Sequence, residues 1–140
     1  MAADDRRFWL MKSEPLKYSW DDLNADGETV WDGVRNYRAR NNMQAMQVGD
    51  EAFYYHSREG LEIVGIVQIS EAGIGDPTDD TGKWAAVKIK PVRALTRAVT
   101  LKEIKAEPTL EDIELIRLSR LSVAEIRPSE WEKIIEMSES

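Results

Sequence analysis

Apolar and polar positions follow two different periods along this chain, and the changes of period mark its elements. Phe8 to Lys12 (FWLMK) is a short apolar run suited to an interior strand, and Lys12-Ser13-Glu14-Pro15 ends it, because the residue before a proline is pushed out of helical space. Ser19 with Asp22 three residues on forms a capping-box pattern, predicting one or two helical turns from Trp20 to about Asn24, closed by an Asp26-Gly27 turn. Thr29 to Trp31 reads as a brief extended piece. Ala39, Met43 and Met46 then recur at helical spacing, which predicts a core-facing stripe on a helix over 37–46. Tyr37, Asn41 and Gln44 fall on the opposite face, flanked by Arg38 and Arg40.

Strand periodicity takes over after the turn Val48-Gly49-Asp50. Over Glu51 to Ser57, Phe53, Tyr55 and Ser57 share one face, while Ala52, Tyr54 and His56 share the other. Arg58-Glu59-Gly60 makes a hairpin into Leu61 to Glu71, a long β-like run in which Gly65 predicts a bulge or bend. Gly73 to Gly82 has the composition of a mobile loop. Trp84 to Leu95 returns to strand, with Pro91 marking an edge or bulge and Lys83, Lys88 and Lys90 reading as protection of an edge. Thr100 with Glu103 and Ser129 with Glu132 predict capped helices over 101–106 and 130–137, separated by a helical turn at Thr109 to Leu115 and a strand at Leu121 to Ile126. The order predicts an α+β fold: a bent, partly open β-barrel surrounded by short helices, as one domain over residues 1–140.

Charge changes this picture at one place. The chain has a formal net charge of -7, yet no acidic residue occurs between Gly33 and Gly49. The stretch Trp31 to Asn42 (WDGVRNYRARNN) concentrates arginine, asparagine and aromatic side chains, which suits a flat anionic ligand. Overall acidity argues against non-specific coating of nucleic acid, whose affinity comes from many phosphate contacts, but it allows a local patch. With no cysteine, disulfides and thiolate chemistry are excluded. No apolar run reaches the roughly 20 residues of a membrane span, and Met1 to Arg7 is too short and polar for a secretory signal, so a cytoplasmic protein without membrane contact is expected.

Catalytic chemistry has little support. Ser13, His56 and Asp32 supply the residue types of a hydrolase triad, but no nucleophile elbow accompanies them, and the single histidine is first of all a hydrogen-bonded strand residue. One histidine and no cysteine give no metal-ligand spacing, and no glycine-rich phosphate loop occurs, so no enzyme, metal or cofactor is expected. Aromatic recognition is better supported. Trp20, Trp31, Tyr37, Tyr55 and Trp84 lie at or near predicted element ends, where they either complete the core or stack on a nucleobase. Most of the tryptophans are expected in the core. Arg35, Arg38 and Arg40, with Lys12 and Arg120 beside strand ends, are the candidates for phosphate contact.

The runs FWLMKSEP, YSWDDL, WDGVRNYRARNNMQAMQVGD, FYYHS, GIV and RLSV, in a likeness that covers about Phe8 to Ile135, resemble the EVE domain of the PUA-like superfamily. The resemblance implies a bent barrel with an aromatic-lined pocket for a base flipped out of nucleic acid, as in the related YTH readers of methylated adenine, and some family members read modified cytosine in DNA. Carried over residue by residue, Trp31 resembles the stacking tryptophan, Lys12-Ser13 the pair that meets the backbone, and Glu14 the polar group at the base edge. The expected function is a non-catalytic module for a modified base in DNA or RNA; the alternative is a pocket for a free nucleoside or nucleotide. Trp31 would stack, with Trp20, Tyr37, Asn41 or Tyr55 nearby. Ser13, Glu14, Asp32, His56 and Ser57 would make polar contacts, and Lys12, Arg35, Arg38, Arg40 and Arg120 would meet the backbone. A monomer is expected, with proteins of a nucleic-acid pathway as further candidate partners.

Overall fold

A computed structural model describes residues 7–140. The N-terminal segment read above as too polar for a secretory signal lies, apart from Arg7, outside the described residues. Six strands form one open, mixed sheet: β1 (Phe8–Ser13), β2 (Thr29–Trp31), β3 (Glu51–His56), β4 (Glu62–Gly75), β5 (Ala85–Thr100) and β6 (Val123–Ile126), in the order β2-β5-β4-β3-β1-β6. Among the described residues only β1 and β3 run parallel, with Lys12 beside Tyr55 and Ser13 beside His56. A parallel pair requires a crossover, and the chain supplies one through α1 (Trp20–Asp26), β2 and α2 (Tyr37–Ala45). The consequence is that the C-terminal ends of β1 and β3 open at the same end of the sheet.

Short-range chemistry places the helices as the sequence predicts, with small differences. Ser19 and Asp22 form the capping box of α1, and Gly27 closes it in the left-handed conformation at φ 78°. The Asn36 side chain accepts from the Ala39 amide to start α2, whose Ala39 and Met43 are buried. Thr100 and Glu103 cap α3 (Leu101–Ala106). The helical turn expected at Thr109 to Leu115 divides into a 3-10 turn, Pro108–Leu110, and α4 (Glu114–Arg117). The last helix, α5 (Pro128–Ser138), starts earlier than the Ser129–Glu132 pattern predicts: Pro128 occupies the first turn, where its missing N–H costs nothing, and the Arg127 amide donates to Glu130 at 2.8 Å.

The long hairpin departs most from expectation. β4 continues to Gly75 and β5 to Thr100, so the predicted loop shrinks to 76–84, and that segment is tied to the body of the protein. The register of β4 and β5 shifts at several points, one of them beside Pro91, which is the bulge that proline predicts. Gly65 is the expected bend. Register breaks there against both β3 and β5, and the Trp20 ring lies directly over it.

Two aromatic groups fill opposite parts of the fold. Trp131 stacks between Phe8 and Phe53, with ring centroids 4.4 and 3.9 Å away. Nearby, buried Asp50 accepts from the Trp9 indole at 3.1 Å and from the Gln47 amide at 3.0 Å, satisfying a polar group that would be costly to bury alone. Trp9 and Trp131 are buried as expected, whereas Trp20, Trp31 and Trp84 remain partly exposed. Among the described residues no helix is long and apolar enough to cross a membrane.

A Cβ on Gly65 would sit 2.4 Å from the outer edge of the Trp20 ring, far inside van der Waals contact. Gly65→Ala is therefore expected to lose about 1–3 kcal/mol of stability through forced repacking, read as a lower denaturation midpoint with an unchanged denaturant slope. An unaltered midpoint would show that Trp20 can leave its seat freely.

Candidate nucleic-acid interface

The aromatic cluster on the Gly65 face is built around Tyr54. Its ring packs against Trp20 at 5.7 Å, edge-to-face against Trp31 at 5.8 Å, and against His56 at 6.0 Å. Burial raises the Tyr54 phenol to about 12. The Tyr54 hydroxyl and the Ser13 hydroxyl both donate to the Tyr18 carbonyl, at 3.0 and 2.6 Å, which joins the end of β1 to the chain entering α1. His56 Nε2 accepts from the Trp20 amide at 3.1 Å, satisfying an amide of the first turn of α1. That bond requires a neutral imidazole, and burial of the ring likewise lowers its pKa from the ordinary value. Trp31 is partly exposed, with exposed Asp32 next to it in the chain.

A cleft of about 630 Å³ opens at the ends of β1 and β3, on the face of Lys12 and Tyr55. Lys12, Ser13, Glu14, Ser57, Arg58 and Arg120 contribute to its polar wall, with Tyr55, Leu101 and Leu115 as apolar lining. The Lys12 ammonium lies 6.0 Å from the Tyr55 ring centroid and donates to the Ser119 carbonyl at 2.7 Å, and desolvation lowers its pKa. Lys12 has no carboxylate partner and Arg120 no hydrogen-bond or ion-pair partner among the described residues, so both charges are available to an anion. Glu14 is already engaged by Arg58 at 2.6 Å and Lys17 at 3.1 Å.

The arginine-rich stretch forms a third group. Asp76, buried at the end of the hairpin, accepts from the Gly33 amide at 2.8 Å, the Arg35 guanidinium at 2.9 Å and the Thr78 hydroxyl at 2.6 Å. Burial alone would raise its pKa, but these hydrogen bonds from Thr78, Arg35 and Gly33 outweigh it and hold the carboxyl well below the usual range. Asp79 caps the rest of the segment by accepting from Thr81 and from the Trp84 amide, and the Thr81 contacts lead in drawing its pKa down to about 2. Trp84 is thereby set beneath Tyr37, their rings stacked at 5.0 Å, with Arg35 and Arg40 beside them. Arg38 points elsewhere, to Glu114 at 3.2 Å, and lines with Asn36 and Arg120 a shallower cavity of about 340 Å³.

Most of the predicted site residues fall into three groups, while Arg38 pairs with Glu114 and Asp32 stands exposed. Trp20, Trp31 and His56 share the Tyr54 cluster, to which Ser13 is joined through the Tyr18 carbonyl. Lys12, Glu14, Tyr55, Ser57 and Arg120 line the cleft. Tyr37, Asn41, Arg35 and Arg40 surround Trp84, Asn41 accepting from Arg40 at 2.9 Å. Tyr55 and His56 do not meet, because adjacent strand residues point to opposite faces. Tyr54 is the residue missed by sequence reasoning, and strand parity could have found it, since placing His56 in a site brings Tyr54 with it. Asp76 carried no comparable signal, lying in a segment read as loop. Among the described residues no group of three or more His, Cys, Asp or Glu side chains is arranged to hold a metal ion.

His56 is the only histidine, so it reports on itself. The unfolded chain takes up its proton near 6.5 and the folded chain at lower pH, so its contribution to stability is complete above the unfolded value and is lost as pH falls through the folded one. An NMR titration of its ring protons is expected to give a midpoint below 6.5. His56→Gln, which keeps an acceptor, is expected to flatten the stability profile between about pH 7 and pH 5. A midpoint above the ordinary value would contradict the assigned hydrogen bond.

Comparison with known proteins gives this geometry its family. The EVE domain profile matches residues 7–137. Human thymocyte nuclear protein 1 is 33% identical over a region covering 94% of this chain and 73% of the relative. Its structure in complex with DNA containing 5-methylcytosine superposes with a TM-score of 0.89 at 32% identity, covering 96% of this chain and 98% of that one. An NMR structure of a Rhodopseudomonas palustris protein is 47% identical with a TM-score of 0.91, covering 95% and 93%. A YTH domain from Zygosaccharomyces rouxii, solved with N6-methyladenosine RNA, shares the fold at a TM-score of 0.60 and 19% identity, covering 96% and 88%. The open bent sheet with short helices is the PUA-like architecture expected from the sequence. The chain belongs to the EVE domain family.

Proposed function

We propose that this protein is a non-catalytic module that captures a modified nucleobase, flipped out of nucleic acid, against the indole of Trp31. The carrying observation is that Trp31 is partly exposed while its support is buried: it rests on fully buried Tyr54, which packs in turn against Trp20 and His56. A preorganised aromatic with an accessible surface suits stacking, since the ordering cost has been met during folding. Asp32, exposed beside Trp31 in the chain, and Ser13, joined to Tyr54 through the Tyr18 carbonyl, are the candidates for hydrogen bonds to a base. Lys12 and Arg120, whose charges no carboxylate neutralises among the described residues, line the cleft on the Tyr55 face at the end of the sheet, and suit phosphates of the strand as it continues past the captured base. Human thymocyte nuclear protein 1 has been solved with 5-methylcytosine DNA, which makes methylated cytosine in DNA the first ligand to test.

Net charge sets the character of this binding. At -7 the protein as a whole repels a polyanion, so affinity rests on the pocket and a few local cations. In fluorescence anisotropy, a 12-mer duplex with one 5-methylcytosine is expected to bind in preference to its unmethylated counterpart, with a shallow salt dependence. Trp31→Ala is expected to weaken binding of the methylated duplex by about 1–3 kcal/mol, the range of one base–aromatic stack, while thermal unfolding stays cooperative. A Trp31→Ala protein that keeps the wild-type preference would refute the assignment, and tighter binding of free 5-methyldeoxycytidine than of any duplex would replace it with the nucleoside pocket.

A further inference from the structure

Tyr37 is 56% exposed although it is a large aromatic at the first turn of α2. It does not hang free: its ring lies on Trp84 at 5.0 Å with 29° between planes. The Arg40 guanidinium, one turn along the helix, sits 4.9 Å from the Tyr37 centroid and 5.8 Å from that of Trp84. Arg40 is fixed by the Lys83 carbonyl at 3.2 Å and the Asn41 side chain at 2.9 Å, both neutral, and among the described residues no carboxylate pairs with it. Arg35 approaches Trp84 at 5.4 Å and is anchored by buried Asp76.

These contacts describe an assembled platform. An exposed tyrosine would ordinarily lose rotamer freedom on binding, but here stacking on Trp84 has already restricted it. Arg40 leaves one cationic charge beside the rings without an anion, in the segment 33–49 that contains no acid. An aromatic plane with an adjacent unneutralised guanidinium matches a nucleobase and its own phosphate. Trp31 cannot serve this purpose as well, because it packs on Tyr54 in the separate cluster.

We infer that Tyr37 and Arg40 form a second nucleotide subsite, in which an unmodified base flanking the captured one stacks on Tyr37 while its phosphate meets Arg40. This rests on the proposed reading of Trp31 as the seat of the modified base and assigns the neighbouring nucleotide a separate place. The subsite recognises a base plane and a phosphate, not a base edge, so it adds affinity without sequence preference. Tyr37 lies on the exposed face of α2, and Arg40, partly buried, lies on its flank beside Trp84.

The test uses the full chain and fluorescein-labelled DNA 12-mers carrying one 5-methylcytosine, intact or with a tetrahydrofuran abasic residue at each position within two nucleotides of it. Wild type is expected to lose about tenfold in affinity when one flanking base is removed, and much less at the others. Tyr37→Ala should bind the intact oligonucleotide about tenfold more weakly, show no further loss on the sensitive abasic substrate, and keep the methylated-over-unmethylated ratio. Tyr37→Phe, which preserves the plane, should restore the wild-type pattern, and Arg40→Gln should weaken binding of every oligonucleotide by a similar factor. Equal losses at each abasic position in wild type and Tyr37→Ala overturn the subsite while leaving Trp31 untouched. Loss of the methylation preference in wild type overturns the Trp31 reading, and absence of binding to any 12-mer overturns both.

Discussion

The Trp20 ring packs directly on Gly65, and the aromatic cluster on that face of the sheet is built outward from this contact. No side chain larger than hydrogen fits at position 65, because the indole occupies the space where a Cβ would stand. The same residue breaks the sheet register, so the point where the sheet bends is also the point where α1 is seated. Once Trp20 is in place, its backbone amide meets His56 and its ring meets Tyr54, which in turn supports Trp31. The candidate base seat is therefore assembled from the bend outward, and flexibility at Gly65 would propagate to every aromatic in the cluster.

Electrostatics divides the molecule differently from packing. A few of its acidic residues are engaged inside the fold or along the cleft: Asp50 orders a turn under Trp9, Asp76 anchors Arg35 and the 76–84 segment, and Glu14 pairs with Lys17 and Arg58. Arg38 is matched by Glu114. Lys12, Arg40 and Arg120 are left beside neutral groups among the described residues, near the aromatic surfaces. An acidic chain can in this way present a few local cations without becoming a general binder of polyanions, because long-range attraction is absent and short-range pairing remains.

Much of the fold was legible because local chemistry specifies it. The capping boxes at Ser19 and Thr100, the stripe of Ala39 and Met43, and the bend at Gly65 each depend on residues close in sequence. Where distant partners decide the outcome, the sequence was less informative. Asp76 turns a glycine- and aspartate-rich stretch into an anchored connection only because Gly33 and Arg35 arrive beside it from another element. The site was legible in its parts and not in its grouping: strand parity separates Tyr55 from His56, and it takes the parallel pairing of β1 with β3 to put Lys12 over Tyr55. Trp84, whose role depended on the path of the 76–84 segment, becomes assignable once Asp79 is seen to fix its amide.

Trp31 is proposed as the seat of a base removed from its stack. A crystal structure of the protein with a duplex carrying one 5-methylcytosine tests it most directly. In such a complex the methylated base is expected outside the helix, parallel to the Trp31 indole, with neighbouring phosphates toward Lys12 and Arg120. A complex in which that base stays paired within the duplex, or in which Trp31 touches no nucleotide, would contradict it.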